Sequence, residues 1–176
     1  VHEKHQPRRC HTAPSISRSA AEPELSCPNV GYPRAMTRYT IEQVAWRDKQ
    51  EELRAIRYTV FVEEQQVPID EEWDGRDATA IHVLAVTDAA QPVGTARLLD
   101  DGQIGRMAVL REYRRRGIGS ALLQRLLTIA ATRHITGLFL NAQIDAVDFY
   151  RCHGFEGVGP TFVEAGIVHL KMIQKR

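Results

Sequence analysis

Seven consecutive residues could build a seat for an anion: Arg114, Arg115, Arg116, Gly117, Ile118, Gly119 and Ser120. Three arginines supply charge, and two glycines let a ligand come close to the main chain. From Ile118 onward, Ile118, Ala121, Leu122, Leu126, Ile129 and Ala130 recur at helical spacing. A helix start carries unpaired N–H groups and a partial positive charge, so the run reads as a phosphate site at a helix N-terminus. It is not a P-loop, because the required Lys followed by Ser or Thr is missing. It is not a dinucleotide fingerprint, because Leu122 stands where the third glycine belongs. What remains is Arg114-x-x-Gly117-x-Gly119.

The residues suited to proton transfer lie elsewhere. His82 falls in an apolar strand, and imidazole titrates in the useful range. Glu72, Asp74 and Glu64 could attract or deprotonate a cation, and His169 and Glu164 are further candidates. A strand histidine is also a common hydrogen-bonded core residue, and a run of acids is commonly solvated surface. Cys152 lies near Tyr150 but has no activating pair nearby, so packing is the simpler reading. His2, His5, Cys10 and His11 match no zinc spacing.

These residues need a scaffold. Arg38 to Trp46 reads as a first strand; Asp48, with Glu51 as its reciprocal partner, reads as the cap of a helix ending before Pro68. Residues 69–79 are acidic and turn-rich. Residues 80–87 form a strand apolar on both faces and hence central. Turns at 88–92 and 100–102 make residues 80–109 an antiparallel meander, with Gly94 at a bulge and Gly105 at a bulge or close backbone approach. The helix from Ile118 crosses to a strand at 137–140. A short helix capped by Asp145 ends at His153-Gly154. Strands at 155–158 and 167–173 follow.

With 176 residues and 23 basic against 22 acidic side chains, the chain suits one soluble domain. It has no global bias toward nucleic acid and no apolar run long enough to span a bilayer. A nucleic-acid module using Arg114 to Arg116 would want interleaved aromatics, which are missing. Three cysteines, odd in number and irregularly spaced, point to reduced thiols and a cytoplasmic location. Residues 1–36, rich in Pro, Ser, Arg and His, read as a flexible extension or a non-native leader, and 37–176 as the domain. Monomer and homodimer are both open.

The Arg114-x-x-Gly117-x-Gly119 run resembles the signature of the GNAT superfamily of acyl-CoA-dependent N-acyltransferases. The resemblance extends over about 37–176. Arg57 to Gln65, Asp74, Asp77, His82, Gly94 to Arg97, Ile104 to Arg106, Ala142-Gln143, Phe149-Tyr150, Gly154-Phe155 and Glu164 to His169 together resemble the ElaA-like branch. Asn141 departs from the small residue common before the Ala-Gln pair. The resemblance implies an α/β (α+β) fold with a mixed central sheet of about seven strands, its central pair splayed, flanked by helices. It implies acetyl-CoA as donor, no metal, and direct transfer to a primary amine, a small cation or a lysine side chain. By carry-over, backbone at Met107, Ala108 and Val109 holds pantetheine, and an N–H near Val109 polarises the thioester carbonyl. Arg114 to Ser120 hold the pyrophosphate. Asn141 contacts the cofactor, and Tyr150 protonates the leaving thiolate. His82 and Glu72 are the acid–base candidates on the acceptor side. The alternative is an acyl-CoA sensor without turnover.

Overall fold

The computed structural model describes residues 38–175. Strand β1 (Tyr39–Val44) leads into helix α1 (Trp46–Arg57), which continues as a π-helical segment, Tyr58–Glu64. The expected Asp48 cap does not form. The helix already starts at Trp46 behind an uncapped Ala45, with a kink at Lys49, and Asp48 pairs sideways with Arg47. A short helix α2 (Ile69–Glu72) stands in the acidic segment.

Strands β2 (Ile81–Thr87), β3 (Pro92–Leu98) and β4 (Ile104–Val109) complete an antiparallel sheet in the order β1-β2-β3-β4. β2 is interior and buried almost throughout, as two apolar faces demand. Helix α3 (Ile118–Thr132) then crosses to β5 (Phe139–Gln143). A 3-10 turn at Ile144–Ala146 occupies the place expected for the Asp145 cap, and α4 (Val147–Arg151) follows it. Strands β6 (Phe155–Gly157), β7 (Phe162–Glu164) and β8 (Ile167–Gln174) finish a second antiparallel sheet, in which β8 pairs with β5, β6 and β7.

Among the described residues there are thus eight strands. The one beyond expectation, β7, is three residues long, too short for alternation to register. The splayed pair is β4 and β5. A single parallel bridge, Gln103 with Phe139, joins the two sheets, and beyond it the strands separate. A bulge helps them part. Thr95 faces Ala108 while Arg97 faces Gly105, so β4 takes three steps where β3 takes two. Arg106 and Met107 therefore oppose Ala96 alone, and Arg106 is held at φ 50°, next to the glycine whose position predicts the irregularity.

The main core lies between α3 and the first sheet and extends under β5, β8 and α4. Gly94 brings α3 close: a Cβ there would sit 3.1 Å from Leu122 and 3.2 Å from Ile118. A smaller cluster, Leu53, Ile56, Val60, Leu84 and Ala108, seats α1 on the opposite face. The expectation of reduced thiols fails at Cys152, which takes part in a disulfide; an odd count still allows one pair. Residues 1–36, with His2, His5, Cys10 and His11, lie outside the described residues.

Candidate active site

The gap between β4 and β5 is where the chemistry-bearing residues meet. Leu110 N–H bonds to Val93 C=O at 2.9 Å, so the main-chain groups of Ala108 and Leu110 point to β3. Those of Met107 and Val109 therefore point into the gap, along the edge of the first sheet. The start of α3 lies beyond the end of this edge. Gly117 precedes it at φ 81°, a conformation that favours glycine, and no side chain caps the helix. The first-turn N–H groups of Ile118, Gly119 and Ser120 are therefore left for another acceptor. An added Cβ at Gly119 would meet the Phe149 ring at 3.7 Å, so α4 forms the opposite wall.

The arginines before this helix are placed differently from one another. Arg114 donates Nε to Val109 C=O at 2.8 Å and both Nη groups to Glu64, each at 2.7 Å. It braces the loop against β4 and the π-helical segment, and its charge arrives already paired. The same bond occupies the Val109 carbonyl, leaving its N–H as the gap-facing group. Glu64, an expected attractor of cations, is held below the usual carboxylate range chiefly by the Arg114 bond. Arg116 donates to Glu112 C=O and lies over Tyr113. Arg115 is exposed, at φ 60°.

Tyr150 reaches across the gap from α4, its hydroxyl 3.6 Å from Met107 Sδ. Phe149 and Phe155 meet it edge-on. Burial pushes the phenol up to about 12, so it stays neutral and keeps its proton to donate. An open cavity of about 190 Å³ begins beside it. Phe61, Gln65 and Glu71 line one side, Arg106 and Met107 the β4 side, and Asn141, Gln143, Glu164 and His169 the second sheet. Asn141 spans toward β7, giving its amide N–H to Glu164 at 3.1 Å. Gln143 donates to Gln65 at 2.8 Å and ties β5 to the segment after the π-helix.

His82 does not line this cavity, and Glu72, which does, is not an open base there. His82 is 1% exposed, its Nε2–H given to Asp77 C=O at 2.9 Å, with Trp46 packed on the ring. Burial holds it below the usual imidazole range, so it is a neutral core group. Glu72, 2% exposed, has one oxygen on Arg57 Nε and the other on Arg106 Nε at 3.1 Å. Burial pushes its carboxyl up against the pull of those two arginines. Asp77 bridges Arg57 and Arg97, and Asp74 takes Arg97 and Arg106. Burial pushes both aspartates up, but the bonds from Arg97 to Asp74, and from Arg57 and Arg97 to Asp77, win and hold them below the usual carboxylate range. The acidic segment is therefore mostly neutralised from beneath rather than solvated. Sequence reasoning missed Arg57, Arg97 and Arg106 as its partners, although all three lie in the runs that carried the family resemblance.

Among the described residues no group of three or more His, Cys, Asp and Glu is arranged to hold a metal, and no helix is long and apolar enough to cross a membrane. Residues 39–175 match the acetyltransferase (GNAT) domain family. YjcF of Bacillus subtilis (strain 168), an uncharacterized N-acetyltransferase, is 38% identical over 123 residues, covering 68% of this chain and 87% of its own. The crystal structure of Escherichia coli ElaA superposes with a TM-score of 0.69 at 27% identity, over 78% of this chain and 100% of that one. An acyl-CoA N-acyltransferase from Pseudomonas aeruginosa gives 0.67 at 29% identity, over 79% and 99%.

Proposed function

This chain belongs to the GNAT acetyltransferase family, which makes it an acyl-CoA-dependent N-acyltransferase, and on that footing we propose that it moves acetyl from acetyl-CoA directly to a primary amine. The observation that carries the reading is the alignment of two unsatisfied backbone surfaces: the gap-facing edge of β4 and the uncapped start of α3. An extended amide-bearing arm can pair with the first, and a diphosphate with the second. Gly119 leaves room for the diphosphate, and Arg115 adds exposed charge at the mouth.

Transfer then needs three things. The thioester carbonyl must be polarised, and the gap-facing N–H of Val109 supplies a donor at the fitting end of the strand. The leaving thiolate must receive a proton, and Tyr150 holds one at the wall of the same gap. The amine must approach from the other side, through the cavity lined by Glu71, Glu164 and His169. Holding donor and acceptor together supplies much of the rate by proximity. The two outward carboxylates, Glu71 and Glu164, favour a cationic acceptor.

Titration calorimetry with acetyl-CoA, run on the parent and on Gly119→Trp, tests the reading. We expect binding by the parent and none by the variant, with the thermal melt preserved. Thiol release against a panel of primary amines then separates transfer from sensing. Acetyl-CoA binding without turnover on any amine would favour a sensor, and no binding at all would remove the proposal.

A further inference from the structure

An alkyl ammonium must lose a proton before it can attack a thioester, and a free amine of this type is mostly charged near neutrality. The cavity wall offers few groups to take that proton. Glu72 has both oxygens on arginines, and Arg106 is a cation. Glu71 and Glu164 are exposed carboxylates, weak bases toward an ammonium, and Glu164 already accepts from Asn141. Tyr150 is needed as a donor. Imidazole is the side chain whose ordinary titration lies nearest neutrality, and efficient proton transfer favours that match. One imidazole lines the cavity: His169 on β8.

Its geometry fixes which nitrogen is basic. His169 Nδ1 lies 2.9 Å from Ile167 C=O. A carbonyl only accepts, so Nδ1 carries the hydrogen and Nε2 the lone pair. The residue is 8% exposed, and its ring stacks on Phe162, with centroids 5.9 Å apart and planes 24° from parallel, which restrains its orientation. Among the described residues the sole sealed side-chain nitrogen or oxygen without a partner is Arg97 Nε. The sole hydrogen bond of the His169 ring among those residues is the one at Nδ1, so Nε2 is not sealed, and His169 is one of the residues that line the cavity. Gln143, opposite His169 in the β5–β8 register, is turned to Gln65 and does not consume it.

We propose that His169 Nε2 is the base that takes the proton of the acceptor ammonium. This rests on the amine-transfer reading above. The N–H bond of the ammonium breaks toward Nε2, giving imidazolium and a neutral amine. The amine lone pair then forms the N–C bond at the thioester carbonyl, and the C–S bond breaks. The sulfur leaves with its electron pair and gains a proton from Tyr150, which recovers one from the nitrogen that has just acylated. The imidazolium returns its proton to water through the cavity mouth.

Two substitutions separate base from brace. Neither replacement side chain is a base. His169→Asn keeps an amide N–H near the Nδ1 position and so the bond to Ile167, whereas His169→Gln places its amide near Nε2. Thiol release is followed with spermidine, tyramine and Nα-blocked lysine from pH 5.5 to 9, and with hydroxylamine, which is already neutral at pH 7. For an alkylamine that the parent acetylates, we expect both variants to lose about 10²-fold in kcat/KM and the acid-side limb of the pH profile. Acetyl-CoA affinity should stay near the parent value, and hydroxylamine transfer should be largely spared. Recovery by the Asn variant alone, or an acid limb that persists in both variants, overturns the base assignment while leaving acetyl transfer intact. A parent that acetylates none of the four amines removes both. If the variants melt early, long-range proton–nitrogen spectra of the intact parent decide: His169 must carry its hydrogen on Nδ1, and the opposite tautomer overturns the proposal.

Discussion

The ion cluster beneath α2 and the cavity beside it are built from the same materials. Each holds carboxylates, Arg106, and one buried strand histidine tied to a main-chain carbonyl. In the cluster, Arg57, Arg97 and Arg106 meet Glu72, Asp74 and Asp77, so three cations match three anions. His82 is sealed there with them. In the cavity the partners run out: Glu71 and Glu164 are exposed, and His169 keeps one nitrogen open. The difference teaches that residue type sets what a group can do, whereas neighbours from distant elements set whether it is free to do it. Arg106, at the bulge of β4, belongs to both regions and fixes where one ends and the other begins.

The sharpest way to break this contrast is to open the cluster. Arg57→Ala leaves Glu72 and Asp77 without their shared guanidinium and removes one of the two cations over Trp73, leaving Arg54 at 4.4 Å. Uncompensated buried charge of this kind costs about 3–5 kcal/mol. Glu164→Gln, at the cavity rim, should move stability by no more than about 0.5 kcal/mol. Urea denaturation of the two variants checks both figures, and equal losses would mean that the regions do not differ in kind.

A smaller effect is expected on the catalytic side of the boundary. Tyr150→Phe retains the ring contacts with Phe149 and Phe155 and deletes the hydroxyl that meets Met107. We expect kcat to fall about 10²-fold, with acetyl-CoA affinity close to the parent value. Steady-state kinetics beside calorimetry reads both quantities. Unchanged turnover would place Tyr150 with the sealed, structural groups.

Much of this plan was legible in the residues. The central strand β2 followed from two apolar faces, the bulge from Gly105, the helix N-terminus from Gly117 and the spacing after Ile118. These are local signals, carried within one or two elements. The cluster was not legible, because its pairs join positions 15 to 34 residues apart. Acids at 72, 74 and 77 look solvated until Arg57, Arg97 and Arg106 are folded beneath them. Arg114 looked like a phosphate ligand for the same reason: Glu64, which claims it, is 50 residues away. The two strand histidines could not be told apart, since alternation reports which face a side chain takes and not whether that face is covered.

That last distinction has a measurable consequence in pH. Burial depresses the folded-state pKa of His82, with Arg57 and Arg97 adding to the effect against the Asp77 carbonyl. The unfolded chain therefore binds the proton first. The stability due to neutral His82 is complete above the unfolded value of about 6.5 and is lost as pH falls toward the folded one, with a slope of at most about 1.4 kcal/mol per pH unit. Glu72 works in the opposite sense, because its raised pKa favours the folded state at lower pH. The difference between parent and variant isolates the histidine. His82→Gln keeps an amide N–H for Asp77 C=O and cannot titrate. Its stability, measured by urea titration from pH 7.5 to 5, should decline less steeply than that of the parent, while the acid limb of its rate profile stays in place. A variant with the parent's stability slope, or one that loses the rate limb, would show that His82 is not sealed and that cluster and cavity are one region.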